Sequence, residues 1–181
     1  AIALYLGIVP EGKEQLVADK LCEVVRANNH FLDFGLLGSK SVPAMLTRYG
    51  YVEDAMKMIT KTEAPSWGYW VETMGYTTLP ETWTLSPEFR DASLNHVFMG
   101  DVSAWMMNQL AGINYDAVEP GFRHILITPH FVERVNWAKG EYHSVRGLIS
   151  SEWKREGGKV TLTVTIPSGC TADIRVGDKT E

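Results

Sequence analysis

No stretch of the 181 residues is apolar over anything near the length of a membrane span. The greasy opening "AIALYLGIV" is too short for that, and it lacks the charged leader and cleavage site of a signal peptide. Basic clusters are missing too: 17 Lys and Arg are scattered among 22 Asp and Glu, giving a net charge of −5. Nucleic-acid binding needs a basic stripe, so that class is excluded. Cysteine is scarce, and Cys22 and Cys170 cannot build a disulfide framework, which leaves the compartment open. The five histidines, at 30, 96, 124, 130 and 143, form no metal-ligand spacing, and neither a metal nor a cofactor is expected. There is no initiator Met either. "AIALYLGIVPEGKEQL" reads as the end of one helix, a turn at Pro10 and a new helix, as in a piece of a larger fold.

What is present divides into two halves with different periods. From Glu11 to about Asn28, Leu16, Val17, Leu21, Val24 and Val25 recur at helical spacing. Pro43 suits the first turn of a short helix running to about Tyr49, ended by Gly50. Val52, Ala55, Met56 and Ile59 mark a third helix, and the apolar series from Leu94 to Leu110 marks a long fourth, stopped near Gly112. The connectors are long, and "FLDFGLLGSKS" is rich in glycine. Helical bundles usually have short polar loops; helical-hairpin toroids place binding sites on long aromatic ones. After Pro120 the pattern changes to short strands. "VTLTVTI" alternates strictly, "GLISSEWKRE" precedes a Gly157–Gly158 turn, and Ala172, Ile174 and Val176 alternate again. An antiparallel sandwich follows, with the boundary inside "INYDAVEPGF".

Between the helices lies "SWGYWVETMGYTTLPETW", Ser66 to Trp83. Trp67, Tyr69, Trp70, Tyr76 and Trp83 offer faces on which the C–H surfaces of a sugar stack. Any single tryptophan is as readily a core filler; five aromatics interrupted by Gly68, Gly75 and Pro80 point to a cleft. Glycoside cleavage takes two carboxyl groups, one to protonate the leaving oxygen and one as base or nucleophile. Glu72 and Glu81 are the acids of the stretch, flanked by Glu63, Glu88, Asp91 and Asp101. Asp91 is read as a helix cap. His96 is a substrate donor or a satisfied polar residue, and the residues by themselves do not choose.

Their order along the chain does. "PSWGYW", "GYTTLPETW", "ASLNHVFMGDVSAWM", "LAGI", "PGFRHILITPH" and "AKGEYHSVRGLISSEW" resemble, in sequence, the C-terminal part of bacterial α-L-rhamnosidases, glycoside hydrolase family 78. "ALYLGIVPEG" and "HFLDFGLLGSK" are similar to helices and loops of that family's barrel, so the likeness covers essentially the whole chain. It implies an α+β multidomain fold. Residues 1–118 would form the C-terminal portion of a six-hairpin (α/α)6 barrel, and residues 119–181 an antiparallel β-sandwich. It also implies an inverting glycosidase that releases terminal α-L-rhamnose from rhamnosides or rhamnose-containing polysaccharides, with a carbohydrate, the α-L-rhamnoside, as its substrate and neither nucleic acid nor membrane as a partner. In the motif Thr77-Thr78-Leu79-Pro80-Glu81-Thr82-Trp83 the general base falls on Glu81, and in Ser93-Leu94-Asn95-His96 a sugar-contacting imidazole falls on His96. Trp67, Trp70 and Trp83 take the aromatic substrate-binding positions.

Two features depart from the family pattern. Pro80 replaces an aromatic, and the segment from Trp83 to Ser93 is short. The family's general acid belongs to an earlier barrel loop outside this sequence, so the chain alone is expected to be inactive. Uncovered helix faces, with Met56, Ile59, Val97 and Trp105 as candidates, would drive self-association. The competing readings are another hydrolase or a lyase on the same toroid, a non-catalytic carbohydrate-binding fragment and, ranked last, a scaffold.

Overall fold

The computed structural model describes residues 1–83, 92–177, 179 and 180. They form two compact units, Ala1–Ser103 and Ala104–Glu181. The first is helical: α1 (Ile2–Tyr5), α2 (Glu14–Ala27), α3 (Leu36–Arg48) and α4 (Val52–Ile59), then a helical run that begins as a 3₁₀ turn at Val97–Gly100. That run continues as α5 (Asp101–Trp105), within which the unit boundary falls, and the π-helical turn Met106–Leu110 belongs to the second unit.

α2 lies where the apolar spacing puts it, but its buried stripe is Ala18, Cys22 and Val25, at i, i+4 and i+7. Leu16 and Val24 face solvent. α3 corrects the sequence reading, because it begins at Leu36 and carries Pro43 in its interior. The missing amide of Pro43 costs one helical hydrogen bond, and tight packing around small residues offsets it. A Cβ on Gly38 would come within 2.4 Å of the Phe34 Cβ, and the buried Ser39 and Ser41 hydroxyls bond to Leu36 O and Leu37 O. Half of the expected glycine-rich connector is therefore helix.

Met56, Ile59 and Trp105 are buried within the chain, contrary to their assignment as uncovered faces. The apolar side of α4 is turned inward, so its spacing marked core. Of that group only Val97 is exposed. Ile2, Tyr5, Leu6, Leu37 and Phe98 are exposed as well, and an apolar groove of about 350 Å³ runs between these residues.

The second unit holds two sheets. One has the order β1 (Ile113–Tyr115), β2 (His124–Ile127), β6 (Thr171–Val176), β7 (Lys179–Thr180); the other is β3 (Trp137–Ser144), β4 (Gly147–Glu156), β5 (Lys159–Thr165). All pairings are antiparallel except β2 with β6. The strict alternation of β5 is a one-sided burial pattern: Val160, Leu162 and Val164 turn inward and the threonines outward. Gly157 and Gly158, both at positive φ, make the β4–β5 turn. The core between the sheets is Ile113, Ile125, Ile127 and Ile149, with Leu162, Val164 and Ile174 against it. The indole of Trp153, fully buried, donates to Leu110 O at 2.7 Å. Arg155 fastens the strap before β3, its guanidinium donating to Phe131 O at 2.7 Å and Val132 O at 3.1 Å.

Candidate active site

Ser66 starts the local architecture. Its buried hydroxyl donates to Lys61 O at 2.6 Å and accepts from the Tyr69 amide at 3.0 Å, capping a turn that runs into the π-helical turn Tyr69–Thr73. Gly68 lies against the same carbonyl, and an added Cβ would sit 2.4 Å from Lys61 O. Backbone cannot yield as a flexible side chain does. Gly68→Ala is therefore expected to destabilise the helical unit by about 1–3 kcal/mol. A melting experiment followed by tryptophan fluorescence checks this, and an unchanged midpoint would contradict it.

The turn sets two tryptophans inward. Trp67 and Trp70 are 4% and 1% exposed, so neither keeps an open ring face. Trp70 stacks on Trp83 at 4.5 Å and 22°, and Trp67 meets Trp83 edge-on at 5.3 Å. Phe34 closes the cluster at 5.9 Å from Trp83. The indole N–H groups are all used: Trp67 donates to Met99 O (3.0 Å), Trp83 to Phe34 O (2.6 Å) and Trp70 to Trp83 O (3.4 Å). Trp83 is half-buried and held from several sides. Tyr69 and Tyr76 are also half-buried.

The two short motifs then clasp each other. The Glu81 amide donates to Ser93 O at 2.8 Å, and the His96 amide to Leu79 O at 2.8 Å. The Thr78 hydroxyl donates to Leu94 O at 2.7 Å. The Ser93 amide donates to Glu81 Oε2 at 3.0 Å, which fixes one carboxylate oxygen and leaves Oε1 with no partner among the described residues. His96 ends the clasp and caps the helical run: its Nδ1 accepts from the Phe98 amide at 3.3 Å, and its ring meets Phe98 edge-on at 5.4 Å. Glu81 and His96 are both half-buried, positioned by facing segments. The same two segments line a cleft of about 310 Å³ through Gly75, Tyr76, Thr77, Thr78, Pro80 and Leu94. Pro80 itself is fully buried.

The other acids stand apart. Glu72 is exposed on the π-helical turn, Glu63 pairs with Lys61 (3.4 Å), and Asp101 pairs with Lys40 (3.4 Å), which lifts the lysine above its ordinary range. Glu88 and Asp91, with its cap, lie outside the described residues. Among the described residues no three His, Cys, Asp or Glu gather as a metal site would require. Phe34, whose carbonyl holds the Trp83 indole, escaped the sequence as a participant, and so did the role of the Ser93 amide in holding Glu81. Main-chain groups carry no residue-type signal.

Residues 1–110 match the bacterial alpha-L-rhamnosidase 6 hairpin glycosidase domain. The chain belongs to the bacterial α-L-rhamnosidase family. Residues 112–181 match the family's C-terminal domain, so the fold is the end of a helical barrel followed by a β-sandwich. The α-L-rhamnosidase of Streptomyces avermitilis is 29% identical over 96% of the chain and 17% of its own length. Its crystal structure, complexed with L-rhamnose, superposes with a TM-score of 0.87 over 95% of this chain and 17% of that one. The native α-L-rhamnosidase of Aspergillus terreus gives 0.90 at 26% identity, over 99% and 21%. The chain spans 17 to 19% of the length of the curated relatives it matches.

Proposed function

We propose that these residues form the general-base half of an inverting α-L-rhamnosidase. Glu81 takes the proton of the attacking water, and His96 contacts the sugar hydroxyls. The observation that carries the reading is the clasp. It joins the two motifs that resemble the family's base and sugar-contact positions, and it fixes one carboxylate oxygen while leaving the other without a described partner. Trp83 supplies the aromatic contact, while Trp67 and Trp70, both buried, act behind it by holding its ring. Inversion needs a general acid on the opposite face of the sugar. The family resemblance places that acid on an earlier barrel loop.

The test pairs two proteins. A polypeptide joining these 181 residues to the preceding barrel loops should hydrolyse p-nitrophenyl α-L-rhamnoside and release β-L-rhamnose first, read from the anomeric proton signal. The 181-residue chain alone should show no turnover. An α-configured first product would overturn inversion, and turnover by the short chain that Glu81→Gln abolishes would overturn the division of labour.

The apolar groove of Ile2, Leu37, Val97 and Phe98 gives the isolated chain a surface for self-association. Light scattering should show a mass that rises with concentration. A constant monomer mass would remove this proposal.

A further inference from the structure

We infer that the Phe98 main-chain amide locks His96 in its Nε2–H tautomer, so that His96 meets a ligand only as a hydrogen-bond donor. The name of the ligand rests on the function proposed above; the tautomer does not. A backbone N–H is an obligatory donor, so the nitrogen that accepts from Phe98 must carry a lone pair. A neutral imidazole has one donor and one acceptor nitrogen. With Nδ1 engaged as acceptor at 3.3 Å, the proton of the neutral ring sits on Nε2.

Two further contacts keep the ring from escaping the arrangement. The His96 amide is tied to Leu79 O at 2.8 Å, and the Phe98 ring stands edge-on to the imidazole at 5.4 Å and 73°. Phe98 is thus a positioning residue that acts through its main chain as well as its ring. Ser93 treats Glu81 in the matching way, committing Oε2 by another main-chain amide. Among the described residues the clasp therefore offers a ligand one fixed donor, His96 Nε2–H, and one acceptor, Glu81 Oε1. A sugar hydroxyl suits such a pair because its oxygen accepts while its hydrogen donates. A ligand group that can only donate, such as an ammonium, finds no partner at His96.

The experiment uses the ligand-free 181-residue chain, so its outcome is independent of whether rhamnose is the substrate. Long-range ¹H–¹⁵N correlation spectra at neutral pH should show His96 as a single tautomer, with a protonated Nε2 and a lone-pair-type Nδ1. Phe98→Ala keeps the amide and should leave that pattern in place. Phe98→Pro removes the amide and should shift both nitrogens toward a tautomer mixture. A wild-type spectrum that is averaged or Nδ1-protonated would overturn the assignment whether or not the proline variant folds. So would a folded Phe98→Pro protein with the wild-type pattern.

Discussion

Glu81→Gln is expected to lower kcat for α-L-rhamnoside hydrolysis by about 10²- to 10⁴-fold, the usual contribution of general base catalysis. L-Rhamnose affinity should change far less. The assay uses the polypeptide that supplies the general acid as well as these residues. Glutamine is nearly isosteric, and its carbonyl oxygen can still accept the Ser93 amide now bonded to Glu81 Oε2. The Glu81 amide also keeps its bond to Ser93 O. The clasp should survive, so the loss falls on proton transfer and appears in kcat. Glu72→Gln is the internal control: Glu72 is exposed on the preceding turn, and its replacement should leave kcat within about twofold, since exposed substitutions rarely perturb more than local solvation. A drop of less than about tenfold in Glu81→Gln would rule out Glu81 as the base.

Much of this site was readable because it sits on short, contiguous motifs. Thr77 to Trp83 and Ser93 to His96 each carry their side-chain types in order, and the clasp joins two segments close in sequence. Strand β5 was equally plain, since a one-sided strand writes its burial as alternation. The burial of Trp67 and Trp70 was not readable. Whether an aromatic ring is platform or filler depends on Phe34 and Met99, each more than thirty residues away from Trp67. α3 was hidden for a related reason. Gly38, Ser39, Ser41 and Pro43 all have poor helical propensity, and only packing against Phe34 and backbone groups makes them fit. Strand β1 lies inside the stretch in which the sequence places the domain boundary. Strand β3 lacked alternation because it is exposed along most of its length, with Gly140 its single buried residue. A Cβ there would lie 2.5 Å from the Ala111 Cβ and 2.8 Å from the Met107 sulfur. The glycine is a packing requirement that pattern reading takes for a loop.

Outside the site, Asp54→Asn should be among the most damaging single changes in the helical unit, costing about 2–4 kcal/mol. Asp54 is 4% exposed and is the hub of a polar network. Arg26 grips it bidentately, Nε to Oδ1 at 2.9 Å and Nη2 to Oδ2 at 2.8 Å, and His30 Nε2 reaches Oδ1 at 2.8 Å. Arg26 also lies over the Tyr51 ring, whose hydroxyl donates to Asp19 at 2.6 Å. The network therefore ties α2 to α4. Asparagine leaves one Arg26 N–H facing an amide N–H₂ group and removes the charge that the guanidinium matches. The upper end of the range for a broken buried pair is not reached, because the Arg26 side chain is 57% exposed and can turn to water. The pH dependence has a fixed sign. Arg26 hydrogen bonding, helped by His30 and opposed by burial, holds the Asp54 carboxyl well below the ordinary carboxylate range. A carboxylate with a depressed folded-state value contributes stability that is complete above its unfolded value, near 4, and is lost as pH falls toward the folded one. Urea midpoints of the wild type should therefore decline below about pH 4, and the Asp54→Asn midpoint should lie lower at neutral pH and converge on the wild type in acid. Parallel curves would assign the acid loss to other groups. A second readout comes from Cys22, whose buried thiol is pushed up to about 11 by desolvation and then by the Asp54 charge. Alkylation of Cys22 should be slow in the wild type and faster in Asp54→Asn, because the variant both removes that charge and opens the helix pair more often.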